Sequence, residues 1–457
     1  RHAGGMWMPE CAVDTSTLEA MAACGVRFTL VGASQLLGPD GSPADPRFPH
    51  MVHLPSGSSI VVFAYDEPAS QGVAFDGLLH SGDRFLQRLT SLSTASDQLA
   101  HIATDGESYG HHHDKGEMAL AWMLRAAMAD PQVQIHNYAS FLAAHPQTRI
   151  GQIREGSSWS CAHGLDRWRK DCGCGVAIGE GAWRTPLRQA FEQLSTAVHR
   201  LTEEREVGGF TDLWAARDDY VQVLLDPQQT QAWVSRWVRG SSANAATRAL
   251  TLMELHRCVM ESFTSCAWFF DDVGRIEPQH NMACAWRAVE LAQVLWPDAD
   301  LLTALEQTLS LANTADPTLA TALDVVTAKV LPLRVGPVLA GAHWAAVHCL
   351  FPDPTWRMFR CDETERAVFR SAVGTTVLRK ITLVDTRTLA TTRLVCASQT
   401  REDGFAGAAS VDEGRTLAQW AERLSQERGL QAFDHVIQRD DLPLRDRQRM
   451  RRLLGEP

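Results

Sequence analysis

The sequence predicts a mixed α/β protein, and three changes of pattern along its 457 residues carry that prediction. Between residues 5 and 153, short β-type apolar runs alternate with helical periodicities, as in a parallel sheet or barrel. From about 186 to 350 the pattern is helical throughout. Beyond about 356, strand-like runs return ahead of two closing helical segments. A chain of this length exceeds one typical domain, and the changes divide it into residues 1–155, 156–350 and 351–457.

Taken in order, the first element is a short apolar run ending at Glu10. A helix over 15–24 follows, with Asp14 or Thr15 as N-cap and Gly25 as stop signal. Residues 26–31 read as a strand. A loop rich in Gly, Pro, Ser and Asp leads to a second strand at 60–64, which makes a β-α-β unit. A helical pattern over 83–92 precedes residues 99–103, an apolar run readable as a buried strand. The next helix, 115–128, is expected to bury Ala119, Trp122, Met123 and Ala126. In the middle region, helices are expected over 187–202, 246–262 and 282–295, and residues 335–351 read as a buried helix too short for a membrane span. The C-terminal strands are placed at 377–384 and 392–396.

Hydrophobic residues at 45% and charged residues at 21% are ordinary soluble values, and a net charge of −11 argues against a nucleic-acid surface. Eleven cysteines scattered over a long chain do not make a complete disulfide framework and fit a reducing cytoplasm. The chain enters an apolar run almost at once, without initiator Met or signal peptide. The expectation is therefore a truncated amino terminus and a gap in the wall of the sheet beside the segment leading to Glu10.

The chemistry is concentrated in two carboxylates, Glu10 and Asp105, each placed where a strand-like run stops. In α/β folds such positions face the crevice that binds substrate. Two acids there can divide glycoside chemistry, one attacking the anomeric carbon and one serving as acid and then base. The competing reading is local: Glu10 caps the following helix, and Asp105 makes an Asx-turn with the amide of Glu107.

The residues around the two acids favour chemistry. Gly5-Met6-Trp7-Met8-Pro9-Glu10-Cys11-Ala12 resembles the nucleophile segment of glycoside hydrolase family 57, and Asp105-Gly106-Glu107-Ser108-Tyr109-Gly110-His111 resembles its acid/base segment. The stretch 156–168, with Trp159, His163 and Trp168, resembles the last active-site segment. Residues 159–174 and 265–272 resemble the branch of that family carrying an appended domain of unknown function. The resemblance implies an incomplete distorted seven-stranded (β/α) barrel acting on α-glucans with retention. In it Glu10 matches the nucleophile and Asp105 the general acid/base, with Trp7, Glu107, Tyr109, His111, Trp159, His163 and Trp168 on the substrate side. It implies no cofactor and no metal. The family's first two segments have no counterpart here. The triple His replaces aromatic residues that branching-enzyme relatives show after the same glycine.

Two clusters invite a metal. His111, His112, His113 and Asp114, with His101 and His163, supply zinc-type ligands; three consecutive imidazoles opening a helix fan out around it, however, so exposed hydrogen-bonding histidines are the favoured reading. Cys161, Cys172 and Cys174 near His163 do not follow a standard zinc spacing and are read as buried free thiols. The run Trp268-Phe269-Phe270 is assigned to packing rather than to a sugar platform. Three functions are carried forward: a retaining α-glucan hydrolase or glucanotransferase, a metal-dependent deacetylase or amidohydrolase using the His-rich loop, and a non-catalytic glucan-binding protein. Neither nucleic acid nor a membrane is expected as a partner.

Overall fold

The computed structural model describes residues 4–174, 181–205, 207–240, 242–348, 358–371, 374–401, 404–426, 429–438 and 441. The chain forms two compact units, Arg1–Arg188 with Trp268–Asp272, and Gln189–Ala267 with Val273–Pro457.

The first unit begins with α1 (Thr15–Ala23), where the Asp14 carboxylate accepts from the Thr17 amide at 2.7 Å and Gly25 turns the chain at φ +80°. The strands are β1 (Phe28–Gly32), a short β2 (Leu36–Leu37), β3 (His50–His53), β4 (Ser59–Tyr65), β5 (Arg149–Ile150) and β6 (Gln152–Ile153). Between β4 and β5 lie α2 (Glu67–Ala74), α3 (Gly82–Thr90), α4 (Gly116–Ala129) and α5 (Tyr138–Ala144).

The main sheet has the order β1-β4-β3-β5, with β1 parallel to β4, β3 antiparallel to β4 and β5 parallel to β3. β4 is buried on both faces, which is why it reads as an unbroken apolar run. Ile60, Val62 and Ala64 face a core with Leu18, Val31 and Leu36, while Val61 and Phe63 face Phe28, Leu30 and Phe141. Gly5 adds one parallel bridge to Phe28. Among the described residues this sheet does not close on itself.

Two expectations need correction here. Residues 99–103 form no ladder; Leu99 N donates to Arg47 O, Ala103 N to Ser70 Oγ, and His101 O accepts from Asp66 N. Burial is satisfied there by side-chain packing, so an apolar run is not by itself a strand. In α4 the buried positions are Gly116, Ala119, Met123 and Ala127, the last three in one helical stripe, and Ala126 is only half-buried; Trp122 lies outside the stripe, exposed, donating Nε1 to Asp83 Oδ1 at 2.9 Å.

His101 is the polar anchor of the 99–103 segment. Its ring nitrogens meet Tyr138 Oη at 3.1 Å and Pro46 O at 3.0 Å, and burial pushes its pKa down to about 4. The fold therefore favours the neutral ring. Its contribution is complete above the ordinary histidine value near 6.5 and is lost as pH falls towards about 4, worth up to about 3 kcal/mol. Urea unfolding of His101→Gln between pH 7 and 4 should show a flatter pH dependence than the native chain; equal slopes would contradict this account.

The second unit contains α6 (Arg184–Glu204, from Gln189 on), α7 (Leu213–Asp219), α8 (Val221–Leu225), α9 (Thr230–Trp237), α10 (Ala243–Glu261), α11 (Ile276–Leu295), α12 (Leu302–Leu309), α13 (Ala322–Val325) and α14 (Pro337–His348), of which α6, α10, α11 and α14 answer to the helices expected over 187–202, 246–262, 282–295 and 335–351. After them come β7 (Phe359–Ser371), β8 (Gly374–Asp385), β9 (Thr391–Arg401), β10 (Gly404–Val411), α15 (Leu417–Gln426) and β11 (His435–Gln438), and the strands form one antiparallel sheet in the order β11-β10-β9-β8-β7. Alternation along β9 sets its two faces. Leu394 and Cys396 pack with Ala342 and Trp344 of α14, whereas Val395 and Ala397 pack with Trp420 of α15. Ala322–His348 has the length and hydropathy of a membrane span, more than residues 335–351 suggest alone. A π turn at Val326–Val330 and a 3-10 turn at Leu331–Leu333 break it, and α14 is buried against the sheet. The last expected helical segment lies outside the described residues.

Candidate active site

Glu10 sits in a single 3-10 turn, Pro9–Cys11, and both Glu10 (φ 60°) and Cys11 (φ 46°) are left-handed. Each such residue costs on the order of 1–3 kcal/mol and persists only where its surroundings over-determine it. Here the surroundings are explicit. Cys11 is fully buried, Val13 and Ser157 exchange backbone hydrogen bonds at 3.0 and 3.3 Å, and the Glu10 carbonyl accepts from Trp159 N at 3.0 Å. Buried Gln35 ties the pieces together: its Nε2 donates to Cys11 O at 2.8 Å and Ser157 Oγ at 3.1 Å, while its Oε1 accepts from Gly32 N at 2.9 Å.

The turn aims the Glu10 carboxylate at the 157–168 segment. Oε2 accepts from Trp159 Nε1 at 3.1 Å and from Ser160 Oγ at 2.9 Å. Trp7, 40% exposed, meets Trp159 edge-on at 5.1 Å between ring centroids, and Tyr65 approaches Trp159 at 6.3 Å. Burial, with Cys11 and Glu67 adding to it, pushes the Tyr65 phenol well above its usual range, so it remains a neutral hydroxyl. Aromatic faces beside a carboxylate suit the apolar C–H faces of a sugar.

Asp105 occupies the N-cap position of a 3-10 turn, Gly106–Ser108, without any side-chain cap bond, and α1 is capped by Asp14 rather than by Glu10. The purely local readings of the two acids therefore do not hold. Lost hydration first, then the Glu10 charge and then that of Glu107, hold the Asp105 carboxyl above the ordinary aspartate range, with His112 opposing. The Glu10 charge thus reaches Asp105 although 95 positions separate the two in sequence. Asp105 stays solvent-accessible.

The other sequence candidates are distributed unevenly. Glu107 is exposed with an oxygen 3.8 Å from His112 Nε2, and the Tyr109 hydroxyl accepts from Thr104 Oγ1 at 3.2 Å. The three histidines fan out: His111 is exposed beside His112, while His113 Nε2 reaches Ala74 O at 2.8 Å. His101 lies in the core, away from them. Trp168 is buried and presents little surface. His163 turns to the cysteines, with Nδ1 3.2 Å from Cys174 Sγ. Trp268 is fully buried, its carbonyl accepting from Arg184 Nε at 2.8 Å, which agrees with packing for that residue, whereas Phe269 is exposed.

Three contributors escape a reading of the sequence, and a fourth group changes its meaning. Ser160 lies inside a quoted motif and was findable as the neighbour of Trp159; Gln35 and Tyr65 carry no local signal. The fourth is the convergence of Cys161, His163, Cys172 and Cys174, whose ligand atoms all lie within 4.8 Å of one another. The expectation of separate buried thiols is corrected on this point: Cys161 is buried, but Cys172 and Cys174 are only half-buried and face it.

Residues 1–154 match the sequence profile of glycosyl hydrolase family 57, and residues 180–441 match that of a domain of unknown function (DUF3536). The chain thus carries a glycosyl hydrolase family 57 segment followed by this domain, which spans more than half of it. Among solved structures, the chain is similar to an exo-type maltose-forming amylase from Pyrococcus sp. ST04, at 15% identity and TM-score 0.53, over 66% of this chain and 58% of that one. It thus spans little more than half the length of that relative, and the likeness establishes a shared fold. Looser similarities are to a 4-alpha-glucanotransferase from Thermococcus litoralis (13% identity, TM-score 0.39, 90% of this chain, 67% of that one) and to the alpha-amylase AmyC from Thermotoga maritima (13%, 0.33, 67% and 65%). No curated protein sequence matches the chain significantly.

Proposed function

We propose that this chain carries the catalytic pair of a retaining α-glucan hydrolase or glucanotransferase, with Glu10 as nucleophile and Asp105 as general acid/base. Glu10 displaces the leaving sugar to form a glycosyl ester while Asp105 donates its proton to the departing oxygen. Asp105 then takes a proton from water or from an acceptor sugar hydroxyl as that oxygen attacks the ester, releasing Glu10. The observation that carries the reading is the asymmetry of the two acids. Glu10 is held through Oε2 by two donors in a strained turn, whereas Asp105, uncapped and next to that charge, keeps its proton to higher pH. The four-stranded sheet is read as part of a distorted (β/α)7 barrel, and Trp7 and Trp159 as the sugar platform. None of the ten described cysteines is in a disulfide, which suits a reducing cytoplasm.

Incubation with maltooligosaccharides, followed by proton NMR of the first-formed anomer, tests the reading. The α-anomer is expected, with longer oligosaccharides appearing if acceptor sugars compete with water. A first-formed β-anomer would remove Glu10 from the nucleophile role, and binding without turnover would favour the glucan-binding alternative.

A further inference from the structure

We propose that Cys161, His163, Cys172 and Cys174 form a structural zinc site that staples the loop carrying Trp159 and Ser160. The separations of Cys161 from the other two sulfurs are those of a metal tetrahedron. With Zn–S bonds of about 2.3 Å, tetrahedral geometry requires S···S edges of about 3.8 Å; Cys161 Sγ lies 3.8 Å from Cys172 Sγ and 3.9 Å from Cys174 Sγ. His163 Nδ1, 3.2 Å from Cys174 Sγ, supplies the fourth corner, on an S–N edge that opens by a few tenths of an ångström around a metal. Three sulfurs and one imidazole fill all four positions of a tetrahedral zinc, which makes a structural rather than a catalytic set.

The local backbone suits this arrangement. Each half is a ligand pair two residues apart, Cys161-x-His163 and Cys172-x-Cys174. Gly173, between the second pair, is left-handed at φ +72°, which allows the flanking thiols to converge on one side. The N–H groups of His163 and Arg167 donate to Cys161 Sγ, and that of Cys174 donates to Cys172 Sγ, the kind of bond that supports metal-bound thiolates. Zinc displaces three thiol protons, leaving a net charge of −1 on the site. The buried guanidinium of Arg167, whose Nε has no hydrogen-bond partner, and that of buried Arg184 both interact electrostatically with Cys172. They supply the balancing charge. Because Cys161 follows Ser160 directly, the metal would fix the segment that holds the Glu10 carboxylate; that link rests on the function proposed above, whereas the site rests on its own geometry.

The test is metal content and cobalt spectroscopy on the full chain purified from zinc-supplemented medium. One zinc per chain is expected. Exchange for Co(II) should give the d–d bands of a tetrahedral site with sulfur-to-cobalt charge transfer. Cys172→Ser and Cys174→Ser should lose the metal, and Cys24→Ser, an exposed cysteine elsewhere, should keep it. His163→Cys should retain metal with stronger charge transfer, a readout that survives if the serine variants fail to fold. Iron in place of zinc, reduced protein without bound metal, cobalt without thiolate bands, or mass spectrometry showing a disulfide within this cluster would each overturn the proposal. None of these readouts uses glucan, so a zinc-loaded chain without turnover would count against the catalytic reading alone.

Discussion

Glu10→Gln is expected to lower kcat on maltooligosaccharides by roughly 10³-fold or more, with stability within about 0.5 kcal/mol of the native chain. The amide keeps the volume, and its oxygen still accepts from Trp159 Nε1 and Ser160 Oγ, so the turn retains its partners while the nucleophile is gone. Asp105→Asn should cost about 10²–10⁴-fold through loss of proton transfer. The two variants separate by pH. In the native chain the acid form of Asp105 is depleted as pH rises through its raised pKa, producing the alkaline limb of the activity profile; Asn at 105 abolishes that limb. The sign for stability is consistent. A carboxyl whose folded pKa lies above its unfolded value contributes fully below the unfolded value and loses that contribution as pH rises through the folded one. Asp105→Asn should therefore leave stability unchanged or slightly raised at neutral pH, the site being solvent-screened. If either variant keeps most of its turnover in a coupled glucose assay, its role is misassigned.

Gly407→Val should be among the most damaging single substitutions in the second unit. A Cβ at 407 would fall inside the contact radii of Ala346 N and Ala342 O, backbone atoms of α14 that cannot rotate away. Ordinary overpacking costs about 1–3 kcal/mol, and a clash with a helix backbone belongs at or beyond the upper end. Small residues on α14, namely Ala340, Gly341, Ala342, Ala345 and Ala346, show that this helix lies directly on the sheet. Gly414→Ala is the comparison: Gly414 is left-handed at φ +84° with nothing within 4 Å of its would-be Cβ, so only the backbone penalty of about 1 kcal/mol applies. Equal losses for the two in urea unfolding would reject the close-packing account.

What the sequence determined alone was short-range. Asp14 three residues before an amide it caps, and Gly25 just past a helix end, act within one or two turns, so α1 was legible to within a residue or two. The β-type run 392–396 likewise placed part of β9, because strand propensity is a local property, whereas which of its side chains face α14 and which face α15 appears only in the packing. The three motif segments located Glu10, Asp105 and Trp159 because each motif is contiguous. Only the tertiary structure decided the rest. Residues 99–103 have the composition of a strand, but a ladder needs a partner in register, and their amides and carbonyls find only isolated partners and a serine hydroxyl. Gln35 holds Cys11 from 24 positions away and Ser157 from 122. The four metal-ligand side chains meet only after the chain has turned back between 163 and 172. Such contacts depend on loop closure and packing summed over the whole unit, and no window of sequence contains that sum.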